Sequence, residues 1–397
     1  MDRRHLVYLT PDISDTSTIK RVEEFLAQGY AVTVVGFRRD RYNRDYAPAW
    51  PHVVLGYTED GKYGRRAWSM LVALRAVIAK RHWFRHASVL YCRNVDQLVL
   101  ATLVHALFCR NALLAYEILD VQPTLTGDGL LSRALRAIER ACLQHVRILV
   151  VSSPGFVRNY FFPVQGYRKE WFLLENKVHP SVTTIDRAVI QRDRGASGYR
   201  WVVGYVGLIR GNQTLDLMAR VAARLRDTVQ FKFRGVLTTV DPDRFAEALA
   251  GNPNMVYEGD YVNPRDLGRI YGEIDLAWAL DLENVDHNSR WLLPCRFYEA
   301  GLYGVPCLAM RDFEVGRLID GLEVGWTFAE PLEDALVRFF ETLTPDALET
   351  KRRRLLTMPS SAFVADNDIA ALCQIFEREI ADLPTAPIAP AIGPAAD

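Results

Sequence analysis

The sequence predicts an α/β protein made of two open parallel sheets in tandem, and three observations predict it. Short apolar runs alternate with stretches of helical period along nearly the whole chain, the pattern of parallel strands wrapped by helices. At 397 residues the chain exceeds what one hydrophobic core usually supports, so two domains follow. The alternation is broken once, at 185–200 (IDRAVIQRDRGASGYR), a polar segment with two glycines that reads as the linker. An N-terminal domain over 1–184 and a C-terminal domain over 201–359 result.

In the first half, HLVYLT (5–10), AVTVVGF (31–37), VVLGY (53–57), SVLYCR (88–93), LLAYEIL (113–119), RILVVS (147–152) and WFLLEN (171–176) read as strands. Helical periodicity fits 18–28, 66–81, 95–108, 130–145 and 154–160 between them. In the second half the strands are WVVGYVG (201–207), QFKFRG (230–235), MVYEGD (255–260), DLAWAL (275–280) and VPCLAM (305–310). Helices fit 213–226, 241–250, 264–272 and 294–303. The segment 360–382 reads as a helix that packs back on the first domain, and the Pro/Ala-rich tail 383–397 reads as disordered.

Apolar content of 49% and charged content of 24% are those of a globular chain, and they argue against extensive disorder. The net charge is zero, but residues 1–180 carry 25 Lys/Arg against 16 Asp/Glu, so the N-terminal half is the one suited to an anionic surface. Six scattered cysteines show no CxxC pair and no zinc-ligand spacing, which fits buried thiols in a reducing compartment. The start MDRRHLVYLTPD runs straight into a strand, and the longest apolar run, Leu98 to Phe108, is too short to span a bilayer. A cytoplasmic location with at most peripheral membrane contact is expected. KYGRRAWSMLVALRAVIAKRHWFRH (62–86) is basic and aromatic; it suits an anionic leaflet or a helix with a solvated basic face.

The most informative stretch is NSRWLLPCRFYEAGLYGVPCLAM (288–310), a loop, a short helix opened by Pro294, a stop at Gly304 and a strand. Arg296 falls in the first helical turn, where the dipole already places about half a positive charge, so a cation there is unfavourable unless an anion joins it. Glu299 follows one turn later. The backbone N–H groups of Leu293 and Cys295 and the Arg296 guanidinium would take a phosphate, and the Glu299 carboxylate would take hydroxyls. A plain Arg296–Glu299 surface pair is the competing reading. Gly207 ends the first strand of the second sheet before Leu208-Ile209-Arg210-Gly211, and Arg234-Gly235 closes the next strand. Neither loop matches a dinucleotide or Walker pattern, yet three strand ends of one domain would converge on an anion.

With these features in order, the chain resembles the GT-B glycosyltransferases, specifically the family-4-like retaining enzymes of bacterial exopolysaccharide assembly. The resemblance covers TIKRVEEFLAQGYAVTVVGF (18–37), EILDVQP (117–123), LSRALRAIERACLQHVRILVVSS (131–153) and LLENKV (173–178). It continues through VGYVGLIRG (203–211), YEGDYVNPRDLGRIYGEIDLAWAL (257–280) and the 288–310 stretch. It implies two Rossmann-like domains facing a central cleft, with the acceptor held by the first and a UDP or GDP sugar by the second. Neither a metal nor a further cofactor is implied. Glu299 matches the second glutamate of the family's E-x7-E motif and would bind ribose, whereas Trp291 stands where the first glutamate is expected. Arg210 matches the phosphate-binding lysine; Leu208 stands in place of a second basic residue, which Arg296 would replace.

On the acceptor side the loop residues Asp12, Ser14, Asp15 and Thr16, then Arg93, Asn94 and Asp96, then Glu117, Asp120 and Asp128 should border the cleft. If a general base exists, it is Asp120 or Glu117. Asp281-Leu282-Glu283 reads as a solvated acidic loop rather than a metal site, His105 as a core residue, and Ser152–Ser153 as a helix cap. The expected reaction is transfer of a sugar to a lipid-linked saccharide; the partners are a nucleotide sugar and a glycan or polyprenyl-diphosphate acceptor, and no nucleic acid is expected. A sugar-nucleotide epimerase or a catalytically inactive partner subunit are the alternatives.

Overall fold

The computed structural model describes residues 4–39, 46–57, 75, 77–180, 187, 190 and 197–382. Most of the expected linker, most of the expected helix at 66–81 and the 383–397 tail lie outside the described residues.

The first sheet is assembled from β1 (His5–Thr10), β2 (Ala31–Arg38), β3 (His52–Tyr57), β4 (Val89–Arg93), β5 (Leu113–Ile118), β6 (Ile148–Val151) and β7 (Trp171–Leu173). Their order is β3-β2-β1-β4-β5-β6-β7, and every pair is parallel. The second is assembled from β8 (Trp201–Val206), β9 (Val229–Arg234), β10 (Met255–Tyr257), β11 (Leu276–Trp278), β12 (Cys307–Met310) and β13 (Gly325–Phe328). Its order is β10-β9-β8-β11-β12-β13, again all parallel. Both orders reverse direction at the first strand, between β1 and β4 and between β8 and β11, the place where an open parallel sheet leaves a crevice beyond its strand ends.

Composition explains the layering. β5 and β8 are buried along their whole length because helices cover both faces, which is why LLAYEI and WVVGYV read as unbroken apolar runs. β9 alternates, with Val229, Phe231 and Phe233 inside and Lys232 and Arg234 half-buried toward Glu258 and Glu273. Expected strands at 171–176, 255–260 and 275–280 shrink to three residues each, since the chain leaves the ladder early to form the cleft rim. The helices Glu314–Leu322, Leu332–Thr342 and Pro345–Thr357 and the edge strand β13 go beyond the sequence expectation. GWTF is too short to carry a period of its own and is recruited by pairing with β12. Among the described residues no helix is long and apolar enough to cross a membrane.

The last helix, Asp368–Ala381, returns to the first sheet. Ile369, Leu372, Cys373 and Phe376 are buried against Leu6, Tyr8, Phe25 and Tyr91, and the Phe25 and Phe376 rings stack at 6.2 Å. The route is fixed by a short bridge in which the Val178 N–H donates to the Phe363 carbonyl at 2.8 Å and the Ala365 N–H to that of Val178 at 2.9 Å. Phe376→Ala should therefore destabilise the protein by about 3–5 kcal/mol, the cost of an aromatic cavity in a closed core. Urea denaturation measures it; a loss under about 1 kcal/mol would mean that the helix is not part of this core.

Candidate active site

The helix Cys295–Leu302 begins one residue after Pro294, which is its N-cap in extended conformation, so the proline precedes the helix rather than opening it. No side chain caps this end and no acidic residue lies in the first turn; of its first N–H groups, that of Phe297 bonds the Pro294 carbonyl at 3.0 Å, while those of Cys295 and Arg296 precede the first intrahelical bond. Arg296 does not pair with Glu299. Its Nη1 donates to the Trp278 carbonyl at 3.0 Å, its Nη2 reaches that of Leu208 at 3.4 Å, and the guanidinium lies 4.2 Å from the centre of the Tyr205 ring. The expectation of an unmet cation is thus corrected: carbonyls at the ends of β8 and β11 and an aromatic face hold it. Burial works against its charge, and Tyr205 and Asp281 outweigh burial.

Glu299 is buried, with one oxygen accepting from Asn263 Nδ2 at 2.9 Å and the other from the Tyr271 hydroxyl at 2.8 Å. Burial pushes its carboxyl above the usual range, partly offset by those two hydrogen bonds and by Arg296. Each oxygen retains a further acceptor position for a ligand hydroxyl.

Beside Arg296, Gly207 adopts φ +109° at the end of β8, and a Cβ added at Gly235 would meet the Gly207 carbonyl oxygen at 2.0 Å. Two backbones thus touch at a point where only glycine fits, forming the lip of the crevice. Arg210 leaves the same loop and is held by the acidic segment: it pairs with Asp281 and lies 3.7 Å from Glu283. Asp281 also accepts the Glu283 N–H at 3.1 Å. The acidic loop is therefore a clasp for Arg210. Among the described residues no group of three or more His, Cys, Asp or Glu side chains is placed to hold a metal ion.

Across the crevice, Asp120 is exposed to solvent yet crowded by protein on both sides, and this raises its carboxyl pKa against the pull of Arg210 and Arg93. It lines a small cavity with Asn94, Gln122, Tyr116 and Glu139. Asn94 holds φ +69° at the end of β4, a conformation costly for any residue but glycine. Two candidates with cleft geometry, Asn94 and Asp120, thus meet. Cys295 is the exposed cysteine; the other five are buried.

Other candidates fall elsewhere. Glu117 lies beneath the crevice floor, where Arg21 Nε donates to one oxygen at 3.0 Å and Arg93 Nε to the other at 3.2 Å. Burial raises its pKa, but the two guanidiniums win and hold it below the usual range, so it is a structural counter-charge and not a base. Arg93 extends this chain to Asp15 and Ser17 at 3.1 and 2.7 Å. Asp12 closes a turn on Ser14. Thr16 opens the helix Thr16–Ala27, and Asp128 is exposed two residues before the helix Leu130–Leu143. Arg234 is bound to Glu258, at 2.6 Å from its carboxylate and 2.9 Å from its carbonyl, and lies 3.7 Å from Glu273. The Leu293 side chain is buried in the second core and offers a ligand only its backbone. Ser153 does accept the Gly155 N–H as an N-cap. His105 packs against the Ala112 carbonyl at 3.0 Å. Tyr205, Asn263 and Tyr271 escape a sequence reading, because nothing in their local sequence separates them from core aromatics and loop residues.

The two halves meet through the turn Asn288–Trp291. Asn288 Oδ1 accepts the Val121 N–H at 3.0 Å, Ser153 Oγ donates to the Trp291 carbonyl, and Trp291 and Leu292 pack on the first core. Gly155 lies so close that an added Cβ would sit 2.4 Å from the Trp291 carbonyl oxygen. Arg158 bonds Glu314, and the Tyr298 hydroxyl donates to Glu175 at 2.8 Å.

Two parallel Rossmann-like sheets with their strand ends turned to one crevice define the class: the fold is that of the GT-B glycosyltransferases. No protein-family model matches the sequence. The chain is 29% identical over 379 residues to the succinoglycan biosynthesis protein ExoL of Rhizobium meliloti (strain 1021), covering 95% of this chain and 93% of ExoL. Among solved structures, sucrose-phosphate synthase of Thermosynechococcus elongatus superposes with a TM-score of 0.69 at 13% identity, over 95% of this chain and all of that one (100%). HepE of Anabaena, in complex with UDP, superposes with a TM-score of 0.66 at 13% identity, over 94% and 100% of the two chains. WaaG, a glycosyltransferase involved in lipopolysaccharide biosynthesis, gives 0.61 at 15% identity, over 96% and 100%.

The raised pKa of Glu299 sets a test of this geometry. A carboxyl that binds its proton more tightly folded than unfolded stabilises most below the ordinary carboxylate pKa of about 4.3 and loses that contribution as pH rises toward its folded pKa. Glu299→Gln, which keeps the shape and cannot titrate, should gain stability relative to the parent as pH rises above about 4. Melting temperatures of parent and variant as pH rises from about 4 decide it; a difference that stays constant or reverses would contradict the burial described.

Proposed function

We propose that this GT-B glycosyltransferase moves a sugar from a UDP or GDP donor to a lipid-linked saccharide in exopolysaccharide or cell-surface glycan synthesis, with retention and without a metal ion. The observation that carries the donor reading is the meeting of Arg296, the Gly207–Arg210 loop and the uncapped helix N-terminus beside Glu299. The diphosphate lies against that helix end and the two arginines, competing with Asp281 for Arg210, while Glu299 accepts ribose hydroxyls. Charge developing on the departing diphosphate is met by groups already in place, the condition for strong electrostatic catalysis. Asp120 faces this edge from the acceptor side, and the protein crowded around it raises its carboxyl above the ordinary range, which makes it a stronger proton acceptor. In a front-face reaction the departing phosphate oxygen is the other acceptor for that proton. The similarity to ExoL supports the exopolysaccharide setting, and HepE, solved with UDP and with UDP-glucose, supports a nucleotide-sugar donor. The chain works at the membrane face where a lipid-linked acceptor is found.

Arg296→Gln should lower UDP or GDP affinity by about 10- to 100-fold, the loss expected for a charge-assisted hydrogen bond. It should also cost some stability, because the contacts to Trp278, Leu208 and Tyr205 go with it. Isothermal titration with both nucleotides, in the presence of EDTA, checks this. Equal affinity for parent and variant, or parent binding abolished by EDTA, would contradict the proposal.

A further inference from the structure

The outer face of the helix Leu130–Leu143 is apolar where a surface helix should be polar. Leu130 is 83% exposed, Leu131 56% and Ile138 46%, with Ala134, Ala137 and Ala141 exposed along the same stripe. The helix's one carboxylate is turned inward: Glu139 is fully buried and accepts from Tyr116 at 3.0 Å, from Tyr160 and from Gln165. What remains charged on the outside is basic, with Arg133 and Arg140 exposed beside the stripe, the latter also donating to the Val164 carbonyl at 2.6 Å. Arg136, half-buried, bonds the Leu125 and Gly127 carbonyls at 2.8 and 2.7 Å and ties the helix to the loop below Asp120. The neighbouring helix Val95–Phe108 exposes Leu103 and Leu107.

We propose that this face docks on an anionic lipid bilayer, with Leu130, Leu131 and Ile138 entering the interface and Arg133 and Arg140 meeting lipid phosphates. Charge selects this occupant: an apolar stripe with an arginine rim and an inward-facing carboxylate suits an anionic lipid surface, and the first 180 residues carry 25 basic against 16 acidic side chains. The most exposed leucine sits at the helix end nearest the crevice, so docking brings the mouth beside Asp120 and Gln122 to the bilayer, where a lipid-linked acceptor presents its saccharide. This surface rests on the lipid-linked reading for its purpose but is tested without sugar transfer.

The test is co-sedimentation of the full chain with phosphatidylcholine vesicles, with and without about 30% phosphatidylglycerol, at about 0.1 and 0.5 M salt. Binding should require the anionic lipid and weaken with salt. Leu130→Glu/Leu131→Glu should reduce the bound fraction by about tenfold or more, since it sets carboxylates against anionic lipid in place of inserted apolar groups. A second variant, Arg133→Gln, adds no carboxylate and should blunt the preference for anionic over neutral vesicles. Melting temperature and UDP or GDP affinity of both variants should match the parent. A parent that sediments with neither vesicle, or a double variant that binds like the parent, overturns the proposal. So does a concentration-dependent dimer dispersed by the leucine changes without vesicle binding, which would assign the face to a second copy. Intact nucleotide affinity beside failed vesicle binding would reject this surface and leave the donor reading standing.

Discussion

The contact on which the site depends is the seating of the Asn288–Trp291 turn against the end of β6. Two open sheets have no intrinsic reason to present their strand ends to each other at one separation. Here Ser153 bonds the Trp291 carbonyl, Asn288 takes the Val121 N–H, and the bare Cα of Gly155 lets the two backbones touch. Val121 follows Asp120 directly, and Trp291 lies a few residues before the helix that carries Arg296 and Glu299. The same hydrogen bonds that join the halves therefore set the acceptor-side carboxyl opposite the donor-side cations. The tryptophan at the motif position expected to be glutamate belongs to this junction, since its side chain packs on the first core.

Electrostatics on the two sides of the crevice are organised differently. On the acceptor side, Arg21, Arg93, Glu24, Glu117 and Asp15 form a closed chain beneath the floor, in which removal of one partner would leave a buried charge unpaired. On the donor side, Arg210 is clasped by exchangeable carboxylates and Arg296 by carbonyls and a ring, partners that a diphosphate can supplement or displace. The first arrangement fixes a shape. The second keeps positive charge where a leaving group needs it.

Much of this is legible in the sequence. Strands buried on both faces give long apolar runs, so β1, β2, β5 and β8 are expected within a residue of their observed limits, and glycines at 207 and 235 mark the lip of the crevice. Between Met310 and residue 360 the sequence announces no element, because β13 is a four-residue edge and its flanking helices carry no motif residues; yet Glu314 opens a helix there and reaches Arg158. Side-chain commitments are the least legible. Glu117 and Arg234 are charged residues at strand ends, as the site requires, but which charges face inward depends on partners far along the chain, Arg21 and Glu258 among them. The carboxylate clasp on Arg210 has the same origin: Asp281 is 71 residues away, so no local spacing announces the pair.

The Trp291 junction holds the two halves at their working separation and so sets the acceptor-side groups opposite a donor site built wholly within the second sheet's domain. Gly155→Val tests this most directly, because a side chain there must displace the Trp291 carbonyl while touching neither Arg296 nor Glu299. Small-angle scattering of parent and variant, measured with their UDP and GDP affinities, gives the result. A larger radius of gyration for the variant, with nucleotide affinity retained, is the expected outcome. An unchanged radius of gyration in a folded variant would contradict it.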